Sequence, residues 1–358
     1  MSDELEATVD AVIGDVSWGP GREADRIPID RELWQRLRVG GYTAVGVPEA
    51  VGGAGGDLAD AAVVVRLAAR KAASLPLLET LIEAGYICSV TGLTLPEVPT
   101  AVVGVEGGAR QISVHRDGAG SWTFEGRAAR VPWAGAVDRL VVLGRSGSGE
   151  LVVAIVEGDA IGVVPGANLA GEPRDDVALR GLTVPADDCA AFPVEALDDL
   201  EPLVALGRSV QIAGALEGVL ALTVQYAKER TQFNRPIGRF QAVQQHVAAL
   251  AGETASAVAI ADAAVRAWEA GRNRELVAAA KIRTGLAAGK GARLAHQVHG
   301  AIGYSREHRL QTLTRRLWSW RDEGGAEEKW AAELGHSFVE QGAERVWGHV
   351  TSLAGVPR

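Results

Sequence analysis

Two polar runs interrupt the alanine-rich helical part of the sequence, and their residue types could hold a phosphorylated compound with a flat ring. The first run, ERTQFNRPIGRFQAVQQ (residues 229–245), contains Arg230, Gln232 and Phe233 in close succession. An arginine at a helix end is favoured by the helix dipole, but the dipole does not account for an exposed glutamine and phenylalanine. A cation, an amide and an aromatic ring together suit a phosphate group and a planar ring.

The second run, HQVHGAIGYSREHRL (residues 296–310), also lies at the end of a helical stretch. Gln297 offers an amide, and Gly300 and Gly303 permit close approach of the backbone to a ligand. Taken singly, each run is an ordinary junction between a helix and a loop.

The hydrophobic pattern divides the chain into three segments that would position these runs. Residues 1–98 show helical periodicity, residues 99–198 contain short β-branched runs between turns, and residues 199–358 are helical again. Alanine and glycine at helical spacing let antiparallel helices approach closely, which predicts a C-terminal four-helix bundle. Because Pro236 cannot lie in a helix interior and Gly238 follows it, we expect the chain to turn there, between the first two bundle helices.

The individual elements follow from the same pattern. Asp30 and Asp57 are candidate N-caps in the first segment. Strands are predicted over residues 100–105, 139–145, 151–156, 160–165 and 178–185. Bundle helices are predicted over residues 203–230, 240–268, 274–300 and 323–350.

Composition and charge exclude several function classes. The formal charge is 36 − 45 = −9, so neither a nucleic acid nor a membrane partner is expected. Cys88 and Cys189 lack metal-ligand spacing and are expected to be two buried small hydrophobic residues. The N-terminus is acidic, and no continuous stretch of about twenty apolar residues occurs, so we expect a cytoplasmic protein. A helical-bundle metal oxidase would need two E-x-x-H pairs, and the sequence offers only Glu333 with His336 in the bundle.

Together, the two runs resemble the flavin-binding motifs of the acyl-CoA dehydrogenase family, whose members remove two hydrogens from an acyl-CoA thioester. Residues 33–70, with the loop GVPEAVGGAGG, are similar to the N-terminal helical domain of that family. The resemblance implies a mainly α fold with a β domain: an N-terminal helical domain (1–98), a middle β-barrel-like domain (99–198) and a C-terminal four-helix bundle (199–358).

The resemblance also implies FAD as cofactor and assigns roles to residues of both runs. In the family, these runs bind the FAD of a neighbouring subunit. By position, Arg230 would meet the pyrophosphate, Phe233 would lie near the adenosine part, and Gln232 would belong to the same FAD-binding run. Gln297, Gly300 and Ala301 would contact the adenine end. The planar donor fork of arginine suits a pyrophosphate because it spans two oxygens.

The family needs a carboxylate that takes the α proton while hydride leaves the β carbon for the flavin. One family position for this base corresponds by resemblance to Val204, with Glu201 as the nearest carboxylate. The other lies in an E-G loop before the last helix, where an ungapped comparison gives Gly324 and a one-residue gap gives Glu323. Glu323 is therefore the candidate base.

A structural explanation competes with that assignment. The acidic cluster around Glu323 could equally be the first turn of the last helix, where negative charge is favoured. The cluster consists of Asp322, Glu323, Glu327 and Glu328.

The β segment departs from the family pattern where other members bind their own flavin. The family's T-E-P-x-A-G-S-D loop is replaced by AVVGVEGGARQISVHRDG (residues 101–118), and RVPWAGAVD (residues 130–138) places Trp133 away from its usual position. Residues that reach a neighbour's flavin are thus kept, while those for the chain's own flavin are lost. This asymmetry resembles the smaller, non-catalytic subunit of heterotetrameric acyl-CoA dehydrogenases. RRLWSWRDE (residues 315–323) resembles an actinobacterial-type branch associated with steroid side-chain or unusual acyl-CoA oxidation.

The main hypothesis is therefore a subunit of an FAD-dependent acyl-CoA dehydrogenase that supplies an FAD-clamping half-site to a catalytic partner chain. The alternatives are a self-sufficient homomeric enzyme with Glu323 as base, and a flavin-free interaction protein on the same fold. The implied partners are an acyl-CoA substrate, further subunits in a homo- or heterotetramer, and an electron-transfer flavoprotein or similar acceptor.

Overall fold

The computed structural model describes residues 3–16, 26–104, 112–117 and 120–353. The chain forms two compact units: described residues 3–16, 26–67 and 73–204 belong to the first, and residues 68–72 and 205–353 to the second. Helices come first along the chain, then strands, then helices again. The predicted fold class, mainly α with a β segment between two helical segments, is confirmed.

Two of the N-terminal helices begin where the sequence offers caps. Asp30 accepts a hydrogen bond from the backbone N–H of Leu33 at 2.9 Å. Asp57 accepts one from the N–H of Asp60, and the Asp60 carboxylate accepts one from the N–H of Asp57 in return; this reciprocal pair satisfies two donors that a helix start leaves open. The α-helices described here are α1 (Asp3–Ile13), α2 (Arg31–Val39), α3 (Leu58–Arg70) and α4 (Gly85–Thr91), with a π-helical segment at Leu78–Ala84.

The middle segment forms one sheet with strand order β6-β7-β3-β2-β4-β5-β8, and β1 also pairs with β4. The strands are β1 (Thr100–Val103), β2 (Ile112–Arg116), β3 (Trp122–Pro132), β4 (Arg139–Ser146), β5 (Leu151–Glu157), β6 (Gly162–Val164), β7 (Arg174–Val184) and β8 (Cys189–Phe192). Each strand predicted from the sequence corresponds to a strand here, whereas β2, β3 and β8 were not predicted. β3 lacks regular alternation of buried and exposed residues, and its pairing with β2 and β7 holds it extended.

Two expectations about this first unit need comment. Cys88 is fully buried, and burial raises the pKa of its thiol to about 12. Cys189 is half-buried instead of buried, because it is the first residue of β8, which lies at one end of the strand order given above. Trp133 is 3% exposed and lies at φ 61° in the turn after β3, so its ring packs inside the unit. Residues 105–111 and 118 of the replaced flavin loop lie outside the described residues.

The helices of the C-terminal segment pack small residues against larger ones, as the sequence predicted. Leu216, Leu250, Ala292, Leu313 and Trp320 belong to one buried cluster that joins four of these helices. The helices are α5 (Leu197–Glu229), α6 (Gln241–Gly271), α7 (Arg274–His299), α8 (Ala301–Tyr304), α9 (Leu310–Asp322), α10 (Glu327–Gln341) and α11 (Ala343–Leu353).

The last predicted helix, residues 323–350, needs correction. It starts later and divides into α10 and α11 at Gly342, whose positive φ of 82° is one that glycine adopts most easily. The helix α9 was not predicted, because its residues belong to the polar run and the arginine-rich motif.

Within the described part of the chain, two segments are long and apolar enough to span a membrane by length and composition: Val194–Glu229 and Gln241–Gly271. The apolar 18-residue stretch of the first segment is 89% buried within the protein, and that of the second segment is 33% buried. The sequence reading did not anticipate them, because alanine and valine raise the mean hydropathy of both without a continuous apolar run.

Candidate functional site

The first polar run forms a short hairpin directly after α5. Strands β9 (Thr231–Gln232) and β10 (Arg235–Pro236) pair antiparallel, and the backbone N–H of Ile237 donates to the carbonyl of Arg230 at 2.8 Å. The tight turn lies at Phe233 and Asn234, whose φ values are 50° and 60°. The expected turn at Pro236 and Gly238 is present as a 3-10 turn over Ile237–Arg239, and the hairpin tip adds a tighter turn before it.

Phe233 combines an unusual backbone conformation with an unusual exposure. A positive φ is uncommon for a bulky residue and costs about 1 to 2 kcal/mol. The ring is 85% exposed, and it meets the ring of Phe240 edge to face with centroids 6.0 Å apart. The guanidinium of Arg235 lies 4.1 Å from the centroid of the same Phe240 ring. The hairpin therefore holds an aromatic ring out into solvent at the expense of backbone strain.

The polar side chains of this run face solvent as well. Arg230, Gln232, Arg235 and Arg239 are all exposed. Arg230 directly follows the last residue of α5, and its backbone N–H donates to the carbonyl of Tyr226 at 2.9 Å. The segment presents three cations next to an exposed ring, which is a donor set for a pyrophosphate linked to a flat group.

The second run continues from the last turn of α7 into α8. Gln297 is exposed on α7, and Gly300 and Ala301 are exposed at the junction. Gly300 has φ 64° and ψ −147°, a conformation nearly restricted to glycine, and no heavy atom lies within 4 Å of the place where a Cβ would be. Gly303 is buried, and a Cβ there would come within 2.9 Å of the Cβ of His299. Gly300 is thus needed for its backbone conformation and Gly303 for space.

The two runs are joined by a group of rings, Tyr226, His299 and His308, called here the imidazole stack. Tyr226 and His299 are stacked with centroids 4.4 Å apart and planes at 20°. His308 meets His299 at 4.8 Å and Tyr226 at 5.9 Å, both nearly edge to face. Tyr226 lies one helical turn before Arg230, and His299 immediately precedes Gly300. The sequence analysis did not single out these rings, although Tyr226 and His299 lie within four residues of candidate residues in the sequence.

Burial keeps the imidazoles of this region neutral. It lowers the pKa of His299 to about 4 and also lowers the pKa of His296 and of His308. His299 Nδ1 lies 2.8 Å from the carbonyl oxygen of Ala295. Because a carbonyl oxygen only accepts hydrogen bonds, Nδ1 carries the proton, and Nε2 is left as a buried acceptor without a hydrogen-bond partner.

The candidate base, Glu323, lies in different surroundings. Its carboxylate is 3.2 Å from Nε of Arg208 on α5, and the two side chains are 9% and 1% exposed. The charges pair at this distance, although the N–H direction does not meet hydrogen-bond geometry. Arg208 also donates to the side-chain oxygen of Gln211 at 2.7 Å. Glu323 therefore faces a buried cation.

Further charges surround this pair. Lys281 is fully buried, and its Nζ donates to the carbonyl of Arg321 at 2.6 Å, where α9 ends. Burial lowers the pKa of Lys281 to about 8, and the carboxylates of Glu327 and Glu323 offset part of that effect. Arg321 and Glu327 pair at 2.5 Å. These residues form what is called here the charge group, whose members are Arg208, Lys281, Arg321, Glu323 and Glu327.

The structure separates the acidic cluster predicted near the last helix. Glu327 and Glu328 occupy the first turn of α10, where negative charge is favoured, whereas Asp322 ends α9 and Glu323 caps it. Gly324 and Gly325 follow with φ values of 67° and 88°. At the other family position, Val204 is 1% exposed within α5 and offers no carboxylate, and Glu201 is half-buried.

The described residues contain no group of three or more histidine, cysteine, aspartate or glutamate side chains that could hold a metal ion. Glu333 pairs with Arg274, and His336 pairs with Glu340 at 3.2 Å on the surface of α10.

Comparisons with known proteins agree with this architecture. The family model described as acyl-CoA dehydrogenase, N-terminal domain, matches residues 5–90, and the model described as acyl-CoA dehydrogenase, C-terminal domain, matches residues 205–332. The chain is 29% identical over 318 residues to acyl-CoA dehydrogenase FadE27 of Mycobacterium tuberculosis, covering 80% of this chain and 83% of that protein. It is 30% identical over 300 residues to acyl-CoA dehydrogenase IpdE2 of the same bacterium, covering 80% of each.

Among solved structures, the ChsE4-ChsE5 complex from Mycobacterium tuberculosis is similar with a TM-score of 0.80 and 23% identity, covering 96% of this chain and 99% of that chain. At this level of identity the likeness bears on the fold alone.

Proposed function

Because this chain belongs to the acyl-CoA dehydrogenase family, we propose that it is a subunit of an FAD-dependent enzyme that desaturates an acyl-CoA thioester. In this proposal the chain supplies an FAD-clamping half-site to a second, catalytically equipped chain. The clamp consists of Arg230, Gln232, Phe233, Gln297, Gly300 and Ala301.

The observation that carries the proposal is the contrast between exposed clamp residues and a candidate base whose side chain is largely enclosed and paired with a guanidinium. Arg230 and Phe233 project from a hairpin into solvent, where a flavin held by another chain could reach them. Glu323, in contrast, is paired with Arg208 inside the helical unit. A carboxylate that is stabilised as an anion by a buried guanidinium is a weaker proton acceptor than a free one.

The residues present fit the nucleotide half of FAD. Arg230 offers a charged donor fork for the pyrophosphate, Phe233 offers an exposed ring face, and Gln297 offers an amide beside the open backbone of Gly300. FAD, when bound, would supply the acceptor for the hydride that leaves the β carbon of the substrate. The chain's own contribution would be to bind and orient the adenosine diphosphate part.

A complex of unlike chains is compatible with this fold. One solved structure of the same fold is a complex of two named proteins, ChsE4 and ChsE5. The second hypothesis is a self-sufficient homomer that uses Glu323 as base. The Glu-Gly sequence of the loop before α10 supports it.

The decisive experiment measures the ratio of FAD to chain from the visible spectrum, after the purified chain is saturated with FAD and freed of excess. Substoichiometric flavin supports the half-site proposal, and about one FAD per chain supports the homomer. In the second case, Glu323→Gln should abolish bleaching of the flavin by acyl-CoA, while the exposed neighbour Glu328→Gln should not.

Arg230→Ala tests the clamp itself. Loss of a charge-assisted contact should weaken FAD binding by about 1.5 to 3 kcal/mol, or roughly 10- to 150-fold. Arg266→Ala is the matched control, because this exposed arginine lies roughly 37 Å along α6 from its start. Equal FAD affinity in the wild type and Arg230→Ala would refute the clamp.

A further inference from the structure

The imidazole stack lies between the two runs that form the clamp. Tyr226 belongs to the last turns of α5, and the hairpin that carries Arg230 starts four residues later. His299 is the last residue of α7, and Gly300 follows it. The ring contact at 4.4 Å therefore connects the ends of two helices that are far apart along the chain.

Backbone hydrogen bonds extend this connection to the clamp residues on both sides. The carbonyl of Tyr226 accepts the N–H of Arg230 at 2.9 Å, and the carbonyl of His296 accepts the N–H of Gly300 at 2.8 Å. The ring contact thus joins two helix ends that each hold a clamp residue by a backbone hydrogen bond.

The identity of His299 is not explained by packing alone. Its side chain is 4% exposed, and its Nε2 is a buried acceptor without a hydrogen-bond partner. A phenylalanine of similar shape would fill this space without burying an unsatisfied polar atom. The imidazole does, however, have one feature that phenylalanine lacks: its Nδ1–H bond to the carbonyl of Ala295 fixes the orientation of the ring.

We propose that His299 is a positioning residue that couples the two clamp runs. With its ring orientation fixed by Ala295, it holds Tyr226, and through it the Arg230 hairpin, in register with Gln297 and Gly300. Both runs then contact one dinucleotide at the same time. The inference rests on the proposed FAD-binding function of the clamp and adds the element that aligns it.

A double-mutant cycle separates coupling from ordinary core packing. Affinity is measured on the full chain by titration with ADP, the part of FAD that the clamp would contact, and with FAD by quenching of flavin fluorescence. The variants are His299→Ala, Arg230→Ala and the double variant. If His299 acts through Arg230, His299→Ala weakens FAD binding about tenfold in the wild type and less than about twofold in the Arg230→Ala background.

His296→Ala is the matched control. His296 is a buried histidine of the same helix, but it stacks on Tyr304 at 3.9 Å and lies 3.0 Å from the hydroxyl of Thr314. Its effect on FAD affinity should be the same with and without Arg230. Should His299→Ala fail to fold, Tyr226→Leu removes the same contact from the other side and should show the same loss of effect in the Arg230→Ala background.

The outcomes distinguish the two levels of the argument. An equal penalty for His299→Ala in both backgrounds overturns the coupling while leaving the clamp intact. Unchanged FAD affinity in Arg230→Ala overturns the clamp and the coupling together. A penalty that disappears when Arg230 is absent supports both.

Discussion

Arg208 lies inside α5 and Arg230 directly follows its last residue, yet the two guanidinium groups meet opposite surroundings. Arg208 is 1% exposed and faces the carboxylate of Glu323, whereas Arg230 is exposed at the base of a hairpin. A buried charge that is paired within the chain is satisfied by the fold, and removing one partner alone is costly. An exposed charge beside a strained turn and an exposed ring adds little to the fold, which agrees with the proposal that the clamp binds a ligand.

The comparison is tested most strongly by removing Arg208. Arg208→Leu would leave Glu323 as a buried carboxylate without its guanidinium, which should lower the free energy of unfolding by about 3 to 5 kcal/mol. Urea denaturation measures the change. Arg230→Leu is the matched control, since an exposed substitution should stay within about 0.5 kcal/mol of the wild type.

The double variant Arg208→Leu/Glu323→Leu sharpens this test. Removing both charges should recover most of the lost stability, because replacing a buried ion pair with apolar residues is often nearly neutral. A double variant as unstable as the single one would show that Arg208 stabilises the fold by something other than pairing with Glu323.

A smaller effect is expected from pH at the junction between the two regions. His299 has a folded pKa of about 4, below its ordinary value of 6.5, so the unfolded chain binds the proton more readily. Its contribution to stability is complete above pH 6.5 and is lost as the pH falls toward 4. Between pH 7 and pH 5 the loss should be on the order of 2 kcal/mol. His299→Phe should flatten this part of the stability curve, as measured by urea denaturation at each pH, and an unchanged slope would mean that the imidazole is not buried as a neutral group.

The smallest expected effect concerns the glycines. Gly303→Ala would place a methyl group 2.9 Å from the Cβ of His299, which should cost about 1 to 2 kcal/mol of stability. Gly335→Ala on α10 is the control, because no atom lies within 4 Å of its added Cβ. That variant should gain about 0.5 to 1 kcal/mol, since alanine is the better helix former. Thermal unfolding compares the two, and similar melting temperatures would contradict the close approach at Gly303.

Local features of the sequence predicted the helices, the caps and the exposed polar runs. Asp30 and Asp57 cap the helices expected of them, because a cap depends on residues within one turn. The hairpin tip was not predicted, since Phe-Asn is not a pair that favours positive φ at both positions. The strand β3 was missed because its extended state depends on two partner strands.

The charge group could not be derived from sequence either. Arg208 and Glu323 are distant along the chain, and their pairing depends on how α5 and α9 pack. The acidic residues around Glu323 therefore suggested either a catalytic base or a helix start. Neither hypothesis included a buried cation. The same applies to Tyr226 and His299, whose contact exists only after α5 and α7 are side by side.

The construction of the clamp has a consequence for inheritance after gene duplication. The clamp and its imidazole stack are built from the ends of α5 and α7 with the hairpin and α8, whereas Glu323 lies in the loop between α9 and α10. A substitution of Glu323 in that loop would not change the residues of the proposed clamp. A duplicated copy of such a chain could lose its chemistry in one step and still be retained, because its sister copy would continue to depend on it for half of a cofactor site.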